Sequence, residues 1–250
     1  MRSAARNLFD MIKANEVGLF GKLPAHGDFI YRDLPSHFIN AWDAWLQGYV
    51  ASTQQQLGES WLDIYLTSPI WRFAMSDGVV DGQSWTGIVL PSVDRVGRYF
   101  PFSIVTKISA SANPFVVIQQ NKWFDRVEKL ALAALSGHLQ LEELVQEINR
   151  QPLELPVSVQ RQAASIDSVG AVVEFANEEP NLECAFPILL DSYCRQHYSN
   201  YSIWSTAMGS ERINPSLFYT RGLPGFRSAA ALLDGQWHQW GWHQPVHVLP

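Results

Sequence analysis

From Pro35 onward, Phe38, Trp42, Trp45, Leu46 and Tyr49 recur at mostly three- and four-residue spacing with polar residues between them. That spacing places one apolar stripe of a helix against a core. Ahead of it, residues 17 to 23 read as a short strand. Three β-rich runs follow at Pro69–Met75, Ser84–Pro91 and Phe102–Ser109, separated by Ser76-Asp-Gly78, Asp81-Gly82 and Asp94-Arg-Val-Gly97. Turn-forming clusters between β-branched and aromatic runs predict consecutive antiparallel strands. Trp123, Phe124, Val127, Leu130 and Leu135 predict a second helix. Leu141, Leu144, Val145 and Ile148 predict a third, ending near Arg150 ahead of Pro152.

Residues 151 to 184 carry Pro152, Pro156, Pro180 and the acidic pair Glu178 and Glu179, and read as a linker or irregular excursion with one strand candidate at Ala171–Phe175. Beyond it, Phe186, Leu189, Leu190 and Tyr193 predict a helix. Tyr201–Thr206 and Leu217–Thr220 predict strands, Gly225–Leu233 a short helix, and Trp237–His247 a loop or edge strand. Helices gathered around a meander of strands, without strict βαβ alternation, predict an α/β fold: an α-β-α sandwich around a largely antiparallel central sheet. The expected organisation is an N-terminal extension over 1–16 and a single domain over 17–250.

Composition narrows the function. The 250 residues are 47% hydrophobic, enough for a sizeable core. No apolar run approaches the roughly 20 residues of a membrane helix, and the first sixteen residues lack a signal core, so a soluble cytoplasmic protein is expected. The net charge of −6 and the absence of a basic run argue against nucleic-acid binding. Cys184 and Cys194 lack metal or redox spacing and read as reduced, buried thiols. Ten tryptophans are unusual; some are expected in the core and some on a partner surface.

The densest local signal is Gly18-Leu-Phe-Gly-Lys-Leu-Pro-Ala-His-Gly-Asp-Phe29. Three glycines and Pro24 specify backbone shape, and the run reads as a strand leaving the sheet through a turn that presents Lys22, His26 and Asp28. It is not a phosphate loop, because only two residues separate Gly18 from Gly21-Lys22 and Pro24 removes an N–H where the helix would open.

His26 and Asp28, with Ser92 and Asp94, supply the ingredients of nucleophilic or general-base chemistry. No GxSxG, HExxH or paired metal-ligand spacing accompanies them, and Asx turns at Asp28 and Asp94 are the preferred reading. Between Pro91 and Pro101, Arg95 and Arg98 beside Asp94 offer either bidentate recognition of a carboxylate or phosphate or an internal brace. His238, His243 and His247 read as surface or packing histidines, with no converging metal set.

These residues carry a family resemblance. The run Gly18–Pro24, then His26-Gly-Asp-Phe29, Arg32-Asp-Leu-Pro35, Trp42-Asp-Ala-Trp-Leu46, Pro69-Ile-Trp-Arg-Phe73, Pro91–Arg98 and Phe100-Pro101 resemble the TagF family, also called ImpM, encoded with bacterial type VI secretion systems. Residues 17 to about 150 hold most of the similarity; Ser202-Ile-Trp204 and Gly222-Leu-Pro224 resemble weaker markers.

The resemblance implies a non-enzymatic regulator that restrains type VI secretion after translation by engaging the forkhead-associated (FHA) scaffold protein of the apparatus. Some family members are fused to a PppA-like phosphatase; this sequence lacks the aspartate-rich metal motifs of one, so such activity is expected from another polypeptide. No cofactor or metal is implied. The expected partner-binding residues are Lys22, His26, Asp28, Ser92, Asp94, Arg95 and Arg98, with exposed aromatics supplying affinity. The alternatives are a small hydrolase using His26, Asp28, Ser92 and Asp94, and a ligand sensor whose pocket leaves no sequence signature.

Overall fold

Seven strands form one sheet in the order β2-β1-β5-β4-β3-β6-β7, with every neighbouring pair antiparallel, in a computed structural model that describes residues 17–155, 169–175 and 182–248. The strands are β1 (Val17–Gly21), β2 (Ile30–Arg32), β3 (Trp71–Met75), β4 (Ser84–Leu90), β5 (Phe102–Ile108), β6 (Tyr201–Thr206) and β7 (Ser216–Arg221). The helices are α1 (Ser36–Leu57), α2 (Trp61–Leu66), α3 (Pro114–Val117), α4 (Asn121–Leu135), α5 (Leu141–Asn149), α6 (Leu182–His197) and α7 (Ala231–Asp234).

Alternation along the strands divides the interior into two cores. Leu19, Ile88, Phe102, Ile104, Tyr201 and Ile203 face one side with Phe115 of α3, Phe124 and Val127 of α4, Leu144 and Ile148 of α5 and Cys194 of α6. Phe20, Trp71, Phe73, Trp85 and Trp204 face the other, against Phe38, Trp42, Trp45 and Leu46 of α1, Trp61 and Tyr65 of α2, and Leu232 of α7. The result is the expected α-β-α sandwich, with a sheet wholly rather than largely antiparallel.

The second core is built from aromatic rings. Trp42 lies 4.9 Å from Trp45 and 5.0 Å from Phe73, and Trp45 lies 5.6 Å from Trp204. Such pairs add about 0.5–1.5 kcal/mol each beyond area burial. Indole donors stay satisfied: Trp42 Nε1 donates to Ser103 Oγ and Trp71 Nε1 to the Leu232 carbonyl. All ten tryptophans are buried or half-buried, and the three that keep some ring area at the surface are Trp237, Trp240 and Trp242.

Several boundaries differ from the sequence reading. Ala171–Phe175 has no strand. Gly225–Leu233 divides into a 3₁₀ turn (Phe226–Ser228) and α7, and Trp237–His247 is a 3₁₀ turn and loop. The elements β2, α2 and α3 were not anticipated. Cys194 is buried but Cys184 is exposed; both are free thiols. The expected extension over 1–16, and Pro156, Glu178, Glu179 and Pro180, lie outside the described residues.

Candidate functional site

Strand register brings the two glycine-containing loops together. Gly21 pairs with Phe102, and Phe102 with Leu90, so the chain after β1 and the chain between β4 and β5 leave the sheet side by side. The first loop turns immediately, with the His26 N–H donating to the Leu23 carbonyl at 2.9 Å. Gly21 takes φ 125°, and a Cβ there would lie 2.0 Å from the Pro101 carbonyl oxygen; only glycine allows the two loops to start so close.

The second loop is folded around Asp94. Its Oδ1 accepts the N–H groups of Val96 at 3.0 Å and Arg98 at 2.9 Å, and its Oδ2 accepts Arg98 Nε at 2.6 Å and Lys22 Nζ at 2.7 Å. Gly97 closes the turn at φ 87°, donating to the Asp94 carbonyl. Burial on its own would raise the Asp94 pKa. The Lys22 ammonium, followed by the donors of Arg98 and Val96, outweighs it and holds the carboxyl well below the usual carboxylate range.

Further bonds tie loop to loop. Ser92 Oγ donates to the Lys22 carbonyl at 2.6 Å, the Arg95 N–H to the His26 carbonyl at 3.0 Å, and the Arg98 guanidinium to the Gly27 carbonyl. Tyr65 supports them from α2: its hydroxyl donates to the Ser92 carbonyl and accepts the Ser92 N–H at 3.0 Å. Burial raises its pKa, keeping the phenol neutral and able to do both. Sequence reasoning missed Tyr65; nothing in the spacing of Tyr65 and Ser92 signals their contact.

The seven sequence-selected residues therefore divide in two. Lys22, Ser92 and Asp94 are buried in the mutual network, so their side chains shape the loops from within and do not themselves face a partner. Asp28, Arg95 and Arg98 are exposed and His26 is half-buried. Phe29 at 43% exposure, with its ring 4.9 Å from Phe100 and beneath the Lys22 ammonium at 4.8 Å, stands among them, and Val96 and Tyr99 complete an apolar component of the face.

Hydrolase geometry does not assemble from these groups. Ser92 Oγ is committed to a backbone carbonyl and Asp94 to Lys22 and Arg98. Among the described residues, His26 Nδ1 is buried without a hydrogen-bond partner, and no hydrogen bond joins the His26 ring to Ser92 or Asp94. The Asx turn expected at Asp94 forms through Val96; none forms at Asp28, whose carboxylate is open to solvent. His238, His243 and His247 are exposed, and no group of metal-ligating residues converges among the described residues. No described helix is long and apolar enough to cross a membrane.

Comparison with known proteins agrees with the architecture. The chain matches the crystal structure of PA0076 from Pseudomonas aeruginosa PAO1 with a TM-score of 0.71 and 32% sequence identity, over 94% of this chain and 98% of that one. No curated protein matches. The family model described as the TagF N-terminal domain, type VI secretion system-associated, matches residues 18–151, a span that contains both loops and the sheet strands that hold them. The chain belongs to the TagF N-terminal domain family of proteins associated with type VI secretion.

Proposed function

We propose that this chain is a non-enzymatic, cytoplasmic accessory protein that restrains type VI secretion after translation by binding the FHA-domain scaffold protein of the apparatus. One observation carries the reading. Within the family-matched span, the conspicuous polar groups are spent on fixing the contour of two adjoining loops, and what remains outside is an exposed set of Arg95, Arg98, Asp28, Phe29, Val96 and Tyr99. A rigid face with cations around aromatic and aliphatic side chains is the composition of a protein interface. Rigid loops also bind without a large ordering cost.

In this reading Lys22, Ser92 and Asp94 are positioning residues, and Arg95 and Arg98 select an acidic patch on the partner. The test is deletion of the gene with transcription of the secretion genes held constant. Effector export should rise and return to its original level on complementation. Unchanged or reduced export removes the proposed restraint, and a failure of purified FHA scaffold protein to bind the purified chain removes the proposed partner.

A further inference from the structure

Five apolar side chains stand along the outer face of α6. Leu182, Phe186, Leu189, Leu190 and Tyr193 are all exposed, at the three- and four-residue spacing of one helical stripe. The spacing that predicts α6 from the sequence is thus that of the face it turns away from the core. Inward, the helix buries Ala185, Pro187 and Cys194. No charged residue occupies the outer stripe, although a helix facing water ordinarily places its charges there.

The stripe continues onto the last strand. Leu217 and Tyr219 of β7 point to one side of the sheet and are exposed as well. A groove of about 440 Å³ joins the two elements, with Phe186, Pro187 and Leu190 on one wall and Leu217 on the other. The Tyr219 ring lies 6.4 Å from that of Tyr198, just past the end of α6. Across the five side chains of α6 and the two of β7, exposure runs from 38% to 65%. At roughly 150–250 Å² for each large side chain, that leaves on the order of 700 Å² of apolar surface in one patch, more than a monomer ordinarily shows to water.

The strand is also an open edge. It ends the sheet, with β6 on one side and no strand on the other among the described residues. The Gly222 N–H donates to the Asn200 carbonyl at 3.3 Å, and on the far side of β6 the Ser76 N–H donates to the Tyr201 carbonyl at 3.0 Å. Antiparallel pairing alternates these directions along a strand. Phe218 and Thr220 therefore turn their backbone groups to β6, while Leu217, Tyr219 and Arg221 turn theirs outward. Native edges are commonly protected by charge, proline or a bulge; β7 carries a single charge, Arg221, at its end.

We infer that this face is the interface of a two-fold homodimer, in which β7 pairs antiparallel with β7 of a second copy and the outer stripes of the two α6 helices meet beside the joined sheets. Two features select a second copy of this chain as the occupant. The outward backbone groups at 217, 219 and 221 are symmetric about Tyr219, so a two-fold axis there sets Leu217 of each copy opposite Arg221 of the other and pairs all three. The same axis keeps both α6 helices on one side of a continuous sheet, where the patch comes close to the roughly 800 Å² per partner of a standard interface. A bound peptide strand would cover the edge and leave most of the α6 stripe in water. The loops assigned to scaffold binding adjoin β1 and β5, away from β7, so the dimer leaves them open in both copies.

Sedimentation of the full chain between about 1 and 200 µM, with residue-resolved amide exchange, tests the dimer. The unaltered protein should sediment as a dimer at the upper concentrations. The amides of Leu217 and Tyr219 should gain protection as concentration rises, whereas those of Phe218 and Thr220 are protected throughout. Tyr219→Lys, which sets two ammonium groups across the axis, and Leu189→Glu on α6 should each raise the dimer dissociation constant about tenfold or more. Both positions face solvent in the single chain, so circular dichroism should show the fold retained. Tyr31→Lys on β2, the opposite edge strand, should leave the constant unchanged. A chain that stays monomeric throughout, a dimer indifferent to either Tyr219→Lys or Leu189→Glu, one dissociated by Tyr31→Lys, or rapid exchange at Leu217 and Tyr219 within a dimer would each overturn the interface.

Discussion

Lys22 Nζ lies 2.7 Å from Asp94 Oδ2 with the lysine side chain 5% and the aspartate side chain 0% exposed, and this ion pair joins two loops that are 72 residues apart in sequence. Because the folded Asp94 carboxyl sits well below its ordinary pKa, its contribution to stability is present above the unfolded value and is lost as pH falls toward the folded one. Asp94→Asn should lower the melting temperature by several degrees near neutral pH. The gap to the parent protein should narrow below about pH 4, where an unfolded aspartate takes up its proton. Thermal unfolding followed by circular dichroism across pH measures this; a gap constant from neutral to strongly acidic pH contradicts the assignment.

Arg95 and Arg98 are neighbours with different duties. Arg98 binds Asp94 through Nε, whereas the Arg95 guanidinium lies over Gly27 and forms no ion pair among the described residues. Arg95→Glu should leave stability within about 0.5 kcal/mol and weaken FHA scaffold binding by about tenfold or more. Arg98→Glu should lower both, because it sets a second carboxylate against Asp94. Parallel calorimetric binding and melting curves separate the two, and equal destabilisation by both variants would show that Arg95 is also a brace.

Much of this arrangement is legible in the amino-acid pattern itself. The helical spacing from Phe38 to Tyr49 is legible because one face packs on a large core, and the β-rich runs from Trp71 to Ile108 are legible as β-prone stretches bounded by turn residues, buried on both faces between two cores. The short elements are not: β2 has three residues, and α2 reveals itself only through Trp61 and Tyr65, four positions apart. The start of α3 has a readable signal in Asn113-Pro114, an N-cap followed by proline at the first helical position. The residues of the loops are legible, and their roles are not. Whether a lysine or aspartate points in or out depends on contacts such as Lys22 to Asp94, which no local pattern encodes.

A buried arginine holds the other face of the sheet. Arg72 on β3 is 2% exposed and meets Glu128 at 2.6 and 2.9 Å and Asp125 at 2.6 Å. Burial works against its charge, but the carboxylates of Glu128 and Asp125 overcome that and raise its pKa. Arg72→Leu should cost about 3–5 kcal/mol, chiefly because Glu128 is left buried and uncompensated. Arg72→Leu with Glu128→Leu should recover most of that loss in urea unfolding, while Asp125, half-exposed, returns to water. A double variant as unstable as the single one would place the cost in lost packing instead.

The two loops depend on one glycine where they diverge. A methyl group at Gly21 would lie 2.0 Å from the Pro101 carbonyl oxygen and 2.8 Å from Phe102 Cα, on a residue held at φ 125°. At Gly97, with φ 87°, the added methyl would meet open space. Gly97→Ala thus carries the conformational penalty alone, about 1–2 kcal/mol, whereas Gly21→Ala adds a backbone clash that only separation of β1 from β5 relieves. Gly21→Ala should therefore be destabilised by about 3 kcal/mol or more in urea unfolding. It should also lose FHA scaffold binding at temperatures where it remains folded, since parting the strands displaces Lys22 from Asp94. Equal costs for the two alanine variants would mean that backbone conformation, not the crowding of β1 against β5, sets the shape of this face.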